Sequence, residues 1–180
     1  YDFYRKYFII EVEPNNAHKA LAKLENMGKL KAVITQNIDG LHQRAGSKIV
    51  IELHGTAEKF YCVSCGKKGD TDKVLSEIKD KDVPRCECGG IMKPNVVLYG
   101  ENLYDGVAES AIRHIENADM LIVGGTSLAV YPAASFVRYF RGKYIVMINK
   151  SETEYDNNAD LVIRENIGEV FSQVMEKIEG

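Results

Sequence analysis

The chain has 180 residues, of which 45% are hydrophobic and 27% charged, with a formal net charge of −3. This composition is typical of one globular domain, with or without a small insert, and the slight negative charge argues against direct nucleic-acid binding, which requires a basic face. The sequence contains neither an apolar run of the roughly 18 residues that a membrane-spanning helix needs nor an opening signal-peptide pattern, so we predict a cytoplasmic protein with no membrane partner.

The first third of the chain predicts helices followed by short strands. Residues 1–8, "YDFYRKYF", already read as the middle of a helix, so we expect further sequence upstream of Tyr1. Pro14 and the apolar residues at helical spacing after it predict a second helix, which Gly28 ends. Runs rich in β-branched or aromatic residues then predict three strands, at 31–35, 49–53 and 58–62.

The last third of the chain alternates regularly between the two kinds of element. Helices are predicted at about 106–117, 132–140 and 167–180, and strands at 118–123, 143–149 and 159–163. Continuous Val, Ile and Leu strands separated by helices indicate βαβ units around a parallel sheet that is buried on both faces. We therefore predict an α/β fold, into which residues 59–92 are inserted as a separate module with one short helix.

All four cysteines lie in that insert. Cys62 and Cys65 form a C-x-x-C pair, and Cys86 and Cys88 form a C-x-C pair twenty residues later. Two such pairs on glycine-containing knuckles allow four thiolates to surround a zinc ion tetrahedrally, with no open position for a substrate. Disulfides or inert thiols are the alternative, but cysteines confined to one segment of a chain without a secretory signal favour structural zinc.

Polar side chains cluster where predicted strands end. The strand at 31–35 runs into Gln36, Asn37 and Asp39, the strand at 118–123 into "GGTS" at 124–127, and the strand at 143–149 ends at Asn149. Ligands of open α/β sheets bind at the carboxyl ends of strands, and a glycine turn with hydroxyls suits a phosphate. The turn taken alone fits a ligand-free connection equally well, because it lacks the full G-x-G-x-x-G pattern.

His54 follows the strand at 49–53 and is the candidate general base, since a histidine at a strand end suits proton transfer near neutral pH. A hydrogen-bonded structural histidine is the alternative. For His42, further along the polar loop, a packing role is the better interpretation.

Read together, "TQNIDGLHQRAG", "ELHGT", the cysteine pairs, "KPNVVLYGE", "GGTSLAVYPAA" and "MIN" resemble the sirtuin family in order and spacing. The resemblance covers nearly the whole chain, to "GEVFSQV" near its end. It implies a Rossmann-like sheet with an inserted zinc ribbon, occupying residues 1–58 plus 93–180 and residues 59–92 respectively. It also implies an NAD-dependent protein lysine deacylase of bacterial type, whose partners are acyl-lysine proteins or peptides.

The same resemblance implies roles for individual residues. Those of the nicotinamide and ribose pocket are Gln36, Asn37, Ile38 and Asp39, and those of the phosphate and ribose turn are Gly125, Thr126 and Ser127. Asn149 would contact the adenosine ribose and Ile167 the adenine. His54 would be the catalytic base, and Cys62, Cys65, Cys86 and Cys88 the zinc ligands. Val96 and Val97 would pair with the substrate peptide as an added strand, beside Tyr99 at the acyl-lysine tunnel.

The chemistry that the family implies consumes NAD. The acyl oxygen attacks the ribose carbon that releases nicotinamide, and His54 then takes a proton from a ribose hydroxyl, which attacks the resulting imidate. Water completes the reaction and gives free lysine and an acyl-ADP-ribose. ADP-ribosyl transfer to protein at the same site is an alternative function. So is a zinc-stabilised binding module without activity, because the family's glycine-rich cofactor loop, "GAG…GIPDFR", is absent from these residues.

The sequence also departs from the branch of the family that removes acidic acyl groups, which has Tyr-x-x-Arg in the helix before "EPN". Here Asp2 stands at the tyrosine position and Arg5 is kept. A carboxylate there repels an acidic acyl group, so we predict acetyl or other neutral acyl substrates.

Overall fold

The computed structural model describes residues 1–7, 12–80 and 83–180, and their elements follow the predicted alternation. The helices are α1 (Asp2–Tyr7), α2 (Asn16–Asn26), α3 (Leu41–Arg44), α4 (Thr71–Lys79), α5 (Val107–Glu116) and α6 (Ile167–Glu179). The strands are β1 (Val33–Thr35), β2 (Val50–Glu52), β3 (Gly55–Cys62), β4 (Met92–Val96), β5 (Met120–Gly124), β6 (Tyr144–Ile148) and β7 (Leu161–Ile163). Two 3₁₀ helices, Ala133–Tyr139 and Asp156–Asn158, complete them. In the described part of the chain, every helix is too short or too polar to cross a membrane.

Parallel pairing dominates the strands, as the βαβ pattern predicts. β1 pairs with β2, with Val33 opposite Val50, and β5, β6 and β7 form a second parallel sheet in that order. The two sheets share a core beneath α5 and the longer 3₁₀ helix, built from Ile51, Leu53, Ala111, Ile115 and Phe136 with Ile34 and Leu121 packed against them. The ends of β1, β2, β5 and β6 therefore belong to one packed body.

The segment that contains the predicted insert forms an antiparallel hairpin instead of a parallel unit, and the two strands extend beyond residues 59–92 at both ends. β3 pairs with β4 from Gly55 opposite Val96 to Cys62 opposite Met92, with an irregularity between Thr56 and Phe60. A separate apolar cluster, which contains Phe60, Val74, Ile78, Met92 and the ring of Tyr4, lies against this hairpin. Helices α1 and α4 thus cover the hairpin, and the parallel sheets have cores of their own.

The structure differs from the sequence prediction in several details. The predicted helix at 132–140 is a 3₁₀ helix, consistent with the crowding of β-branched and aromatic side chains in "FVRYF", which disfavours a regular α-helix. One face of β5 is half open, since Met120 and Ile122 are 49% and 40% exposed, so this sheet is not buried on both faces among the described residues. Strand β4 has no counterpart among the predicted elements.

Candidate functional site

The four cysteine thiols converge at one end of the hairpin. The sulfurs of Cys62, Cys65, Cys86 and Cys88 all lie within 4.8 Å of one another. The Cys62 and Cys88 sulfurs are 3.5 Å apart and those of Cys65 and Cys86 are 3.7 Å apart. Tetrahedral zinc with bonds of about 2.3 Å places its sulfurs about 3.8 Å apart, so the residues fit this ion.

Backbone donors prepare this cluster for a cation. Burial raises the pKa of the Cys62 thiol, but hydrogen bonds from the backbone N–H groups of Cys65 and Ser64 outweigh it and lower the pKa to about 6. The Ser64 N–H lies 3.4 Å from the Cys62 sulfur. The Lys67 N–H lowers the pKa of Cys65, but the neighbouring cysteine sulfurs outweigh it and raise that pKa to about 12. Of these two residues, Cys62 is therefore the one that favours the thiolate, the form that binds zinc, at neutral pH.

The polar loop after β1 lies directly beside His54. The Nδ1 atom of His54 is 3.1 Å from the carbonyl oxygen of Gln36. A carbonyl only accepts, so Nδ1 carries the proton and the lone pair of neutral imidazole is on Nε2. The backbone N–H of Ala57 donates to the Ile38 carbonyl at 2.8 Å, which fixes the same loop to β3. The structure thus brings the loop at 36–39 and His54 together.

The segment that follows β4 is also hydrogen-bonded to His54. The N–H of Val97 donates to the carbonyl oxygen of His54 at 3.0 Å. Val96 is buried, Val97 is half-buried, and Tyr99 is fully exposed. The backbone of residues 96–97 therefore lies next to the candidate base, and the Tyr99 ring projects from the surface.

A crevice of about 190 Å³ opens at the carboxyl ends of β5 and β6. Its lining residues are Gly125, Ile148, Asn149, Lys150, Glu165, Asn166 and Ile167. Three of the residues predicted from sequence thus line one cavity. The N–H of Gly125 donates to the Ile148 carbonyl at 3.1 Å, and that of Asn149 to the Ile163 carbonyl at 3.1 Å, so paired strands hold both backbones.

The glycine turn has the shape that a phosphate-bearing ligand needs. Gly125 has φ +64°, in the left-handed region, and a Cβ added there would meet nothing within 4 Å. A Cβ on Gly124 would collide with the Ile167 side chain. The backbone is therefore open on one side of the turn and packed on the other, which fits a nucleotide lying along it.

The other residues predicted to bind the cofactor belong to the loop at 36–39 or to the glycine turn, and they do not line the crevice. Thr126 accepts a hydrogen bond from the Leu128 N–H at 3.1 Å, and Ser127 is exposed. Asp39 accepts from the Leu41 N–H at 3.1 Å at the start of α3. Asn37 is exposed.

Lys150, Glu165 and Asn166 line the crevice but were not predicted. Asn166 caps α6 and follows the predicted strand at 159–163, so its place in a strand-to-helix connection was the one available signal.

The rings of His42 and His18 lie 4.6 Å apart, centroid to centroid, on α3 and α2. His42 Nδ1 is buried and has no hydrogen-bond partner within the described residues. This packing of two rings is consistent with the structural role predicted for His42.

Arg5 points into the insert. Its guanidinium donates to the Ile78 carbonyl at 3.1 Å and forms an ion pair with Asp2. The charge of Arg5 is thus already compensated.

The sequence comparison identifies the family. The profile of the Sir2 family matches residues 1–132. A relative from Clostridium acetobutylicum, described as an NAD-dependent protein deacetylase, is 53% identical over 177 residues, which are 97% of this chain and 71% of that protein. The chain belongs to the Sir2 family.

Solved structures agree with this assignment. A structure described as Sir2 with a p53 peptide and NAD+ superposes with a TM-score of 0.92 at 44% identity, over 99% of this chain and 77% of the other. Another, of Sir2 with an inhibitor, 2'-O-acetyl-ADP-ribose and a deacetylated p53 peptide, gives a TM-score of 0.90 at 43% identity, over 99% and 79%. The Rossmann-like α/β fold predicted from the sequence is confirmed.

Proposed function

We propose that this protein is an NAD-dependent protein lysine deacetylase, which converts acyl-lysine, NAD and water to nicotinamide, free lysine and O-acyl-ADP-ribose. The observation that supports it best is the position of His54. Its Nδ1–H is held by the Gln36 carbonyl at 3.1 Å, so that Nε2 is the basic atom. A histidine whose tautomer is fixed at the end of a strand is suited to take a proton from a sugar hydroxyl.

NAD, when bound, supplies the ribose carbon from which nicotinamide leaves and to which the acyl oxygen becomes bonded. We assign the nicotinamide end to Gln36, Asn37, Ile38 and Asp39. We assign the phosphates and the adenosine to Gly125, Thr126, Ser127, Asn149 and Ile167. The open backbone at Gly125 and the crevice with its apolar wall at Ile167 support the second group.

We assign the substrate peptide to the strand edge at Val96 and Val97, with Tyr99 beside the acyl-lysine. The hydrogen bond from the Val97 N–H to the carbonyl of His54 supports this assignment, because it joins the segment directly to the candidate base. A peptide added as a strand gains backbone hydrogen bonds that do not depend on its sequence, so one site accepts acyl-lysine in many contexts.

We assign the insert, residues 59–92, the role of a zinc-stabilised module, and residues 1–58 plus 93–180 that of the NAD-binding domain. The cysteine cluster supports this division, because all four of its members lie within residues 59–92. Thiolate ligands need a reducing compartment, which supports a cytoplasmic location.

Deacetylation is favoured over ADP-ribosyl transfer to protein. The relative from Clostridium acetobutylicum is named a deacetylase, and the Sir2 complex with 2'-O-acetyl-ADP-ribose contains an acylated ADP-ribose and a deacetylated peptide. Both point to transfer of the acyl group from lysine to ADP-ribose.

The direct test is nicotinamide release from an acetyl-lysine peptide by the full-length protein with and without His54→Ala. We expect the variant to lose about 10²- to 10⁴-fold in rate, the range for loss of a general base. His114→Ala is a matched control, because its Nδ1 also donates to a backbone carbonyl, that of Ser110 at 2.8 Å, but on α5. Full activity of His54→Ala would remove His54 from the mechanism, and no NAD-dependent release by the unaltered protein would refute the function.

We also propose a preference for neutral acyl groups. Arg5 is the cation expected to attract an acidic acyl chain, and it is already paired with Asp2 and bonded to the Ile78 carbonyl. We expect a succinyl-lysine peptide to react at least about tenfold more slowly than its acetyl equivalent, since its carboxylate would be buried without a partner. Equal rates on the two peptides would contradict this proposal and leave deacetylation itself intact.

A further inference from the structure

Lys93 and Glu101 form an ion pair next to the segment assigned to the substrate peptide. The Lys93 ammonium lies 2.6 Å and 2.8 Å from the two carboxylate oxygens of Glu101. The Lys93 side chain is 18% exposed and that of Glu101 43%, which makes this pair more buried than the surface pair of Lys23 and Glu179, at 58% and 49%. A contact with both oxygens in a partly buried setting is the kind of ion pair that fixes geometry.

The carboxylate of Glu101 also closes a turn. It accepts a hydrogen bond from the N–H of Leu98 at 2.9 Å, and the N–H of Glu101 donates to the Leu98 carbonyl at 2.9 Å. Gly100, with φ +87°, supplies the left-handed residue within this turn. The turn at residues 98–101 thus follows Val97 at once and presents Tyr99 at its tip.

Lys93 connects that turn to the hairpin of the insert. It belongs to β4, opposite Tyr61 of β3. Burial alone lowers the pKa of the Lys93 ammonium, but the Glu101 carboxylate and the Tyr61 hydroxyl outweigh it and raise the pKa. The pKa of Glu101 is lowered by Lys93 and by the Leu98 N–H, so both partners are charged at neutral pH.

The segment at 96–99 is therefore fixed at two points. Val97 is bonded to the His54 carbonyl, and Leu98 is bonded through Glu101 to Lys93. A strand edge held at one point rotates about that point, whereas two attachments set both its distance and its direction relative to the base. The second attachment uses no residue of the candidate cofactor site.

We propose that Lys93 and Glu101 are positioning residues, which align the peptide-binding edge at residues 96–99 with His54 and so set the affinity for the peptide backbone on both sides of the acyl-lysine. This proposal rests on the proposed function, because it takes that edge as the peptide site. It assigns to the pair a role in peptide binding and none in NAD binding or in proton transfer.

The test compares Lys93→Met and Glu101→Gln in the full-length protein. Glu101→Gln is the gentler change, since its amide oxygen keeps an acceptor for the Leu98 N–H while losing the charge. We expect each to raise KM for a ten-residue acetylated peptide about 5- to 20-fold, because a partly buried charge loses its partner, with KM for NAD and kcat changed less than about twofold. The double variant is expected to cost less than the product of the two single effects.

Two controls separate alignment from general damage. Acetyl-lysine amide without flanking residues has no strand to align, so its KM is expected to stay unchanged in all variants. Lys23→Met breaks the surface pair with Glu179, between α2 and α6, and is expected to leave every constant as in the unaltered protein. Lys93→Arg keeps the charge and is expected to restore most of the peptide affinity.

Failure of the proposal is distinct from failure of the function. If the unaltered protein deacetylates the peptide but the variants keep its KM, or lose affinity equally for NAD or for acetyl-lysine amide, the pair does not position the peptide edge. If the unaltered protein shows no NAD-dependent turnover, the proposed function fails. Titration of a fluorescent acetylated peptide then still tests the pair, since unchanged affinity in Lys93→Met and Glu101→Gln would overturn the role inferred for it.

Discussion

The hairpin insert and the parallel sheets are held together by different interactions. In the insert, four cysteines converge within 4.8 Å of one another at the end of an antiparallel pair, beside a small core around Ile78. The parallel sheets have no such cluster among the described residues and depend on cores such as that of Val123, Val137 and Met147. His54 lies where the two regions meet, between the end of β2 and the start of β3. The contrast predicts that loss of metal would disturb one side of the site and loss of apolar packing the other.

Of the changes considered, removal of a zinc ligand is expected to have the largest effect on the stability of the insert and on activity. In Cys65→Ser, the insert loses one of four thiolates, and structural zinc contributes about 10–16 kcal/mol in small zinc-dependent folds. We expect less than about half an equivalent of zinc, rapid proteolysis between residues 59 and 92, and deacetylase activity lowered at least about 100-fold. Metal analysis, limited proteolysis and nicotinamide release measure the three. The control Ser64→Ala keeps the backbone N–H that donates to the Cys62 sulfur, so it should retain one equivalent of zinc. One full equivalent of zinc in Cys65→Ser would exclude a site with four thiolate ligands.

Truncation of buried side chains in the two regions is expected to have the next largest effect. Ile78 and Met147 are both fully buried, so Ile78→Ala and Met147→Ala are each expected to lower the free energy of unfolding by about 2–5 kcal/mol. In a Cys65→Ser background, Ile78→Ala should cost less than about 1 kcal/mol, because the insert is already disordered, whereas Met147→Ala keeps its cost. Denaturant unfolding measures both. Equal costs for Ile78→Ala in the two backgrounds would show that the insert core does not depend on zinc.

The nucleotide crevice gives a smaller and more selective effect. The side-chain amide N–H of Asn149 donates to the Ser151 carbonyl at 3.0 Å, and in the proposed function its oxygen accepts from a ribose hydroxyl. We expect Asn149→Ala to raise KM for NAD about 5- to 10-fold, the value of one hydrogen bond, without changing KM for the peptide. Asn117→Ala, which removes a similar amide contact to the Arg113 carbonyl, should change neither. A rise in the peptide KM alone would place Asn149 outside the nucleotide site.

Acid is expected to produce the smallest change, through the paired histidines on α2 and α3. Burial lowers the pKa of both His18 and His42 from 6.5, and the nearby Asp39 raises each in opposition. As the pH falls, the unfolded chain therefore takes up protons before the folded chain does. The contribution of the two neutral histidines to the free energy of unfolding is complete above about pH 6.5 and is lost as the pH falls through the lowered pKa values. Thermal unfolding between pH 7.5 and 5 should show a shallower loss in His42→Gln than in the unaltered protein. The same loss of thermal stability with falling pH in both proteins would mean that His42 does not contribute to the pH dependence.

The zinc site was the part of the fold easiest to predict from sequence. Spacing alone defines it, because each cysteine pair is local and four thiolates with reduced surroundings have few other uses. Strand β4 was missed for the opposite reason: "MKPNV" contains Lys, Pro and Asn, which are rare in strands, and Pro94 is tolerated where the strand leaves a ladder position open.

The candidate site was predicted residue by residue but not in its contacts. Polar residues after strands indicated the edge, yet the bond from His54 to the Gln36 carbonyl joins residues 18 positions apart, and no local pattern encodes its 3.1 Å. The ion pair of Lys93 and Glu101 had no sequence signal, since charges eight positions apart face each other only because the turn at residues 98–101 folds back.

The pairing of Gly55 with Val96 has a consequence for how such a chain changes in evolution. Because these two residues face each other across the hairpin, the insert leaves the sheet and returns to it through a narrow neck, closed by the bond from Val97 to the His54 carbonyl. The closure entropy of a loop grows slowly with its length, so the exposed stretches of the insert, apart from the four cysteines and the core around Ile78, can be lengthened, shortened or exchanged at small thermodynamic cost. Such changes leave the pairing at the neck in place, which makes the exposed surface of the insert the natural place for new specificity to arise.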